Sequence, residues 1–377
     1  MLKGKMKALI SQKDLKDLSS GVQRKVMEEA KLLLAEGYEV HIIAEKINKK
    51  MVRSIGAKPV KTFKYPFSGL KRRLFYAKQV QKYIDKNSFD LVIGHGDIIE
   101  QDICYIHNCV HLAHEKIHQK ALPVDHEVGV IHSEILKKQK FKKLVCNSKM
   151  MEADLIHRFG INPEIVEVIY PEFNIETFSL SRADGNRVKV RNKYGFSNTD
   201  VVIGLITSGN FKKRNVSLLL ETALCFPKHV KFLIAGKNKD QSYYNRVLEL
   251  GLQDQIKFAP SIPNVEAYYH AIDIFVLPAF IEEFGRSVLE AMALKLPVVV
   301  GKMVGASELL QGKSSELILK DLTIDELAKK LMLLISDLKL YEEVASLNYK
   351  LAKSCSSSEQ NIKFKKLIED VGSKNGQ

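Results

Sequence analysis

The sequence predicts an α/β protein made of two successive parallel-sheet domains. Three observations carry that expectation. Apolar runs of strand length alternate with amphipathic helical stretches along most of the chain. The alternation stops at a polar stretch near the middle and then restarts. A length of 377 residues is long for one core and suits two.

In the first half, MKALIS reads as a buried strand and QKDLKDLSSG as a polar loop. VQRKVMEEAKLLLAEG has helical periodicity and a stop at Gly37. YEVHIIA and KPVKTF read as strands, LKRRLFYAKQVQKYIDK as a helix and FDLVIG as a further strand. The stretch SLSRADGNRVKVRNKYG marks the break. Beyond it, DVVIGLITSG, VKFLIAG, IKFAP, DIFVLPAF and LPVVV read as strands. Between them, NVSLLLETALCF, QSYYNRVLELG, VEAYYHAI and the stretch after Phe284 read as helices. From Ile324 onward the chain reads as helical, without evident chemistry. The expected domains are 1–175 and 176–355, with a last helix in 356–377 packing back on the first domain. In open α/β sheets ligands sit beyond the carboxyl ends of strands, so loops that follow strands are the places to search.

Composition narrows the function classes. Hydrophobic and charged contents of 45% and 27% are those of a globular protein. No run approaches the roughly 20 apolar residues of a membrane span, and the N-terminal apolar segment is too short for a secretory signal. The expectation is a cytoplasmic protein. Five cysteines at irregular spacing fit reduced thiols. The net charge of +14 is uneven, with 30 Lys+Arg against 20 Asp+Glu in residues 1–170. That half should face an anionic partner: phospholipid, a phosphorylated glycan or nucleic acid. LKRRLFYAKQVQKY and KKQKFKK suit either an anionic membrane surface or a solvated face. No nucleic-acid-binding module accompanies the charge.

Two stretches of the second half carry chemistry. In LITSGNFKKRN, Gly209 permits a tight turn, and Lys212, Lys213 and Arg214 arrive at an expected helix start. Cations oppose the dipole there, and a bound diphosphate would resolve the conflict. The loop has neither a GxGxxG nor a GxxxxGK[ST] pattern, which disfavours a nicotinamide-dependent oxidoreductase or a Walker-type NTPase. In EEFGRSVLEA, Glu282 precedes a helix and Glu290 lies within it, opposite a stripe of Leu289, Met292, Ala293 and Leu296. Free amides near Gly285, Arg286 and Ser287 can take an anion, while carboxylates on either side can accept hydroxyls of a diol. A surface pair between Arg286 and Glu290 explains the spacing equally well.

The Glu282-x₇-Glu290 pattern, its Phe-Gly and the Leu-Pro-Val-Val strand beyond resemble the retaining glycosyltransferases of family 4. The likeness extends over most of the chain, including LVCNSKMMEADLIHRFGI and GNFKKRNVSLLLETA. DICY, GNFKKRNV and HAIDIFVLPAFIEEFGRSVLEA are closest to the lipopolysaccharide core glucosyltransferase branch. The resemblance implies the GT-B fold, two facing Rossmann-like domains with a cleft between them. It implies transfer of a hexose, from UDP-glucose or a similar UDP-sugar, to a glycan or glycolipid such as lipopolysaccharide core. The alternative is a non-catalytic nucleotide-sugar or nucleic-acid binder on the same fold.

By the resemblance, Glu282 would bind donor-sugar hydroxyls and Glu290 the ribose. Phe284, Gly285, Arg286 and Ser287 would contact sugar and diphosphate, and Lys213 and Arg214 the diphosphate. Their order is reversed relative to the family. Gly21 matches the second glycine of an N-terminal Gly-Gly turn whose first position is Ser20, and Ile262 would face the base. The chain has no D-x-D triplet, so protein charge is expected to neutralise the leaving group, with no cofactor or metal. The implied site is cytoplasmic and peripheral at the inner face of the membrane, with no nucleic-acid partner. Seven of the eleven histidines lie between His95 and His132. His107, His111, His114 and His118 would share one face of a continuous helix. Zinc, an acceptor-facing surface and ordinary surface histidines all remain open for them. The family's acceptor-side polar group maps best to His107 or Asn108, and next to His95.

Overall fold

A computed structural model describes residues 5–18, 20–66, 68–171, 173, 177–180 and 183–373. The chain divides into two compact units, residues 1–171 with 358–377, and residues 172–357. The boundary expected at 175/176 falls on residues outside those described.

The first unit holds the strands β1 (Lys7–Ser11), β2 (Asp14–Leu15), β3 (Glu39–Ala44), β4 (Lys46–Ile47), β5 (Lys58–Lys61), β6 (Leu91–Gly94), β7 (Ile103–Ile106), β8 (Lys143–Cys146) and β9 (Val166–Val168). Seven of them form one sheet in the order β5-β3-β1-β6-β7-β8-β9, and β2 and β4 make a separate two-stranded ladder. All pairings are parallel. The order turns back on itself at β1, with β3 on one side and β6 on the other. The gap between β1 and β6 is therefore the switch point where such sheets open a crevice.

One face of this sheet is covered by Gly21–Ala35, whose Val26, Ala30 and Leu33 meet Ala8 and Ile10 of β1 in one core. Ser20 starts the helix through a capping box with Gln23, and Gly37 ends it at φ +88°. The helix Ser357–Ser373 adds Phe364, Leu367, Ile368 and Val371 to that core. Leu70–Asn87 covers the other face, burying Tyr76 and Val80 against Leu9 and Ile43. Its apolar side is thus taken by the sheet. The KKQKFKK lysines are largely paired as well: Lys138 with Glu134, Lys142 with Asp102 and Lys143 with Glu167 lie at 2.8–2.9 Å.

The second unit holds β10 (Val201–Ile206), β11 (Val230–Ala235), β12 (Ile256–Ala259), β13 (Ile274–Leu277), β14 (Val298–Gly301) and β15 (Ile318–Leu319), ordered β12-β11-β10-β13-β14-β15. Every pairing is again parallel. The order reverses at β10, which places this sheet's switch point between β10 and β13.

The strands β2, β4, β7, β8, β9 and β15 were not among the expected ones. β2, β4, β9 and β15 have only two or three residues, too short for periodicity to declare them. The polar stretch taken as a break is mostly a helix, Ala183–Tyr194. It is anchored by charge: Arg191 is fully buried, with Asp273 Oδ2 at 2.6 Å. The five cysteines are free, and four of them are buried. Among the described residues no helix is long and apolar enough to cross a membrane.

Candidate functional site

In the second unit, the segments after β10 and β13 meet at the switch point. After β10 the chain makes a turn at Gly209, whose φ is +143° and where a Cβ would stand 2.8 Å from the Lys237 carbonyl oxygen. Only glycine fits such an approach. Residues 211–215 continue as turns, and the helix begins at Val216. Lys212, Lys213 and Arg214 therefore stand before the helix rather than in its first turn. The expected clash with the dipole is relieved by geometry. The amide of Lys213 donates to Asn210 Oδ1 (3.1 Å), and its carbonyl accepts from the Phe280 amide (3.0 Å). The second bond ties the basic turn to the segment after β13.

That tie brings Lys213 and Arg214 onto the acidic pair. Lys213 Nζ lies 2.5 Å from Glu283 Oε2 and 3.9 Å from Glu282 Oε1. An Arg214 guanidinium nitrogen lies 2.8 Å from Glu282 Oε2. Its angles are outside hydrogen-bond geometry, so that buried oxygen still has no hydrogen-bond partner among the described residues. Burial raises the Glu282 carboxyl above its usual range, Lys213 and Arg214 oppose the rise, and Glu283 adds to it. The backbone here is fixed from the side of β14: the Glu282 amide donates to Met303 (2.9 Å), and the Gly305 and Ala306 amides donate to the carbonyls of Glu282 (2.9 Å) and Phe284 (2.6 Å).

Phe284 is buried, and Gly285 then turns the chain at φ +91° into the helix Arg286–Ala293. A Cβ on Gly285 would meet Val304 Cγ1 at 2.9 Å and Glu282 Cγ at 3.4 Å. No side chain caps this helix, so its first amides, at Arg286 and Ser287, remain available to an anion beside Glu282. Arg286 Nε is a further buried donor without a hydrogen-bond partner among the described residues. The helix buries Val288, Leu289, Ala291, Met292 and Ala293, while Leu296, expected on its stripe, lies beyond its end. Glu290 lies off the buried stripe, as expected, and is half-buried: the hydroxyl of buried Tyr269 donates to its Oε2 (2.8 Å). Burial and the Glu290 charge push the Tyr269 hydroxyl well above its usual range, which keeps it a donor. Ile262 lies half-buried in the loop after β12, a loop held by the Tyr268 hydroxyl on the Pro260 carbonyl (2.9 Å).

Three expected residues of the first unit form a second group. His107 does not lie in a helix with His111, His114 and His118, because that helix begins at Val110. His107 instead follows β7, and His95 follows β6. Their rings stack at 5.2 Å, with His95 Nδ1 2.9 Å from His107 Nε2. His95 Nε2 lies 3.0 Å from Glu29 Oε2, and both of those side chains are fully buried. Burial alone would raise the Glu29 carboxyl, but the His95 imidazole holds it below its usual range. The two nitrogens of His95 thus bridge the Glu29 carboxylate and the His107 ring. Burial, followed by His95, holds His107 well below its ordinary pKa. Asn108 beside it is exposed. Gly21 is the first residue of Gly21–Ala35, directly after the Ser20 cap. Among the described residues no cluster of His, Cys, Asp and Glu is arranged to hold a metal ion.

Sequence reasoning missed Glu283, Tyr269 and Glu29. Nothing separates Glu283 from its neighbour in an EE pair, and Tyr269 reads as core. Glu29 did carry a signal, since it sits three residues after Val26 and four before Leu33 on an apolar helix face.

The neutral histidines make the first unit acid-sensitive. His132 is buried and its pKa falls to about 4, and His107 is shifted the same way. A depressed folded-state value gives stability that is present above the unfolded value, near 6.5, and lost as the pH falls toward the folded one. Denaturant titrations at pH 7 and pH 4.5 should show this unit losing about 2 kcal/mol from His132 alone. His132→Gln should flatten that dependence.

Two family profiles match the chain: "Glycosyl transferases group 1" over residues 187–350 and "Glycosyltransferase Family 4" over residues 19–176. A D-inositol 3-phosphate glycosyltransferase of Streptomyces bingchenggensis is 24% identical over 219 residues, 54% of this chain and 47% of that protein. The match thus spans about half the length of that relative. Among solved structures, WaaG, a glycosyltransferase involved in lipopolysaccharide biosynthesis, matches with a TM-score of 0.76 at 16% identity, over 94% of this chain and 99% of its own. Anabaena Alr3699/HepE, solved in complex with UDP-glucose, matches with a TM-score of 0.75 at 17% identity, over 97% of this chain and all of its own.

Proposed function

The chain belongs to the glycosyltransferases that these two profiles describe, and from that premise we propose that it transfers a hexose from a UDP-linked sugar, with retention, to a glycan or glycolipid acceptor. The observation that carries this reading is the contact of Lys213 and Arg214 with Glu282 beside the uncapped helix start at Gly285. Glu282 Oε2, a buried acceptor without a hydrogen-bond partner, suits a sugar hydroxyl. Glu290, oriented by Tyr269, suits the two hydroxyls of a ribose. The departing diphosphate gains negative charge as the glycosidic bond breaks. Lys213, Arg214 and the amides of Arg286 and Ser287 are already oriented where that charge develops, which is usually the largest catalytic contribution. Retention follows from attack on the same face, the leaving phosphate taking the acceptor proton. On the acceptor side, His107 and Asn108 contact the incoming hydroxyl in this reading, with His95 and Glu29 positioning His107. Ile262 packs on the base, and Gly21 leaves room near the phosphates.

The acceptor is a glycolipid of the lipopolysaccharide core type, consistent with the involvement of WaaG in lipopolysaccharide biosynthesis. Exposed Lys71, Lys78 and Lys82 on Leu70–Asn87 give the anionic membrane that bears such an acceptor a cationic surface to meet. Incubation with a panel of nucleotide sugars, reading released UDP and GDP, tests the proposal. UDP release from one donor, accelerated by a glycan acceptor, is the expected result. Binding of UDP with no release from any donor would instead identify a non-catalytic binder.

A further inference from the structure

One carboxylate beside the donor site, that of Glu283, has no part in the transfer proposed above. Glu283 is buried, and among the described residues its carboxylate has one hydrogen-bond and ion-pair partner, Lys213 Nζ at 2.5 Å. The side chains of Lys213 and Glu283 are only 13% and 9% exposed. An exposed ion pair contributes little because water screens it, but a pair this enclosed is held firmly, since parting it strands a charge.

The charges of the cluster balance without a ligand. Lys213 and Arg214 face Glu282 and Glu283, so two cations meet two carboxylates. Glu282 is the acceptor for a sugar hydroxyl in the donor site. Glu283 acts against both of its neighbours there: it occupies the ammonium that a diphosphate needs, and its charge helps to raise the Glu282 carboxyl. The backbone on either side is pinned, by the Phe280 amide on the Lys213 carbonyl (3.0 Å) and by the Glu282 amide on Met303 (2.9 Å). Any change of partner is therefore made by side chains. The Lys213 ammonium is a point charge with three donors on a flexible stem, and it can turn from a carboxylate to a phosphate oxygen without the fixed planar geometry of an arginine. We propose that Glu283 is a resident counter-ion of Lys213, displaced by the diphosphate when the donor binds and reclaiming the ammonium when the nucleoside diphosphate leaves. The diphosphate then competes with a carboxylate already in place, so the product is held less tightly than the two cations alone would hold it. The exchange rests on the donor reading given above, in which Lys213 meets the diphosphate.

Calorimetric titration of the full chain with UDP and with uridine tests it, in the parent protein, Glu283→Gln and Asp254→Asn. Glu283→Gln keeps the shape of the side chain and removes its charge. It should bind UDP at least about fivefold more tightly than the parent does, and uridine, which carries no phosphate, equally well. Equal uridine binding also shows that the variant is folded. Asp254→Asn removes the same charge from an exposed position in the turn before β12, at the opposite end of the sheet, and should leave UDP affinity unchanged. In a structure of the UDP complex, Lys213 Nζ should lie within hydrogen-bond distance of a phosphate oxygen and away from Glu283. UDP affinity in Glu283→Gln equal to or weaker than the parent's, a gain matched by uridine or by Asp254→Asn, or a UDP complex with Lys213 still on Glu283 alone would each overturn the exchange while leaving the donor site in place. No binding of UDP to the parent protein would overturn the donor reading, and the exchange with it.

Discussion

Arg214→Ala should lower turnover of the preferred nucleotide sugar roughly 10²–10³-fold, the loss usual when one preorganised charge at a leaving group is removed. The structure adds a second reason. Arg214 lies 2.8 Å from Glu282, a carboxyl whose pKa burial already raises. Without the guanidinium, Glu282 loses an opposing charge and holds its proton more readily. The carboxylate that should accept a sugar hydroxyl is then weakened as well. The effect should appear in kcat more than in affinity for the nucleotide sugar, because the diphosphate carries less charge before the bond breaks. Arg214→Lys should recover part of the rate, since it keeps the charge without the planar fork. A kcat for Arg214→Ala within about threefold of the parent protein would remove Arg214 from the catalytic account.

Asp273→Ala should destabilise the second unit by about 3–5 kcal/mol, the usual consequence of stranding a buried charge. Arg191 is fully buried, and its guanidinium donates to the carbonyls of Ala271 (3.0 Å), Ser197 (2.8 Å) and Asp200 (3.0 Å). Its charge is balanced by Asp273 Oδ2 at 2.6 Å. Asp273 also accepts from Arg187 (2.6 Å) and from the Val202 amide (2.7 Å) at the start of β10. One carboxylate therefore joins the helix Ala183–Tyr194 to the edge of two adjacent strands. For a unit of this size the loss corresponds to a melting transition about 6–20 °C lower. Calorimetry would show it, and Arg191→Met combined with Asp273→Ala should be less damaging than Asp273→Ala alone. A transition within about 2 °C of the parent would mean that water reaches Arg191 and replaces the carboxylate.

How much of this could be read from the sequence depends on the range of the interaction. β1, β3, β10, β11, β13 and β14 declare themselves because each is a run of apolar residues ended by a loop. Glu282, Lys213 and Arg214 were legible as separate motifs with a shared chemistry. Their contact was not, since it depends on the Phe280 amide meeting the Lys213 carbonyl 67 positions earlier. Arg191 shows the same limit: in a string of basic and polar residues nothing marks the one arginine that turns inward.

Phe364, Leu367, Ile368 and Val371 complete the core of the first unit, yet they are encoded after every residue of the second. During translation the N-terminal sheet must wait, with part of its apolar face uncovered, until the remainder of the polypeptide has been made. The downstream unit has no such dependence and can reach its native state first, reversing the N-to-C order in which domains usually mature on the ribosome.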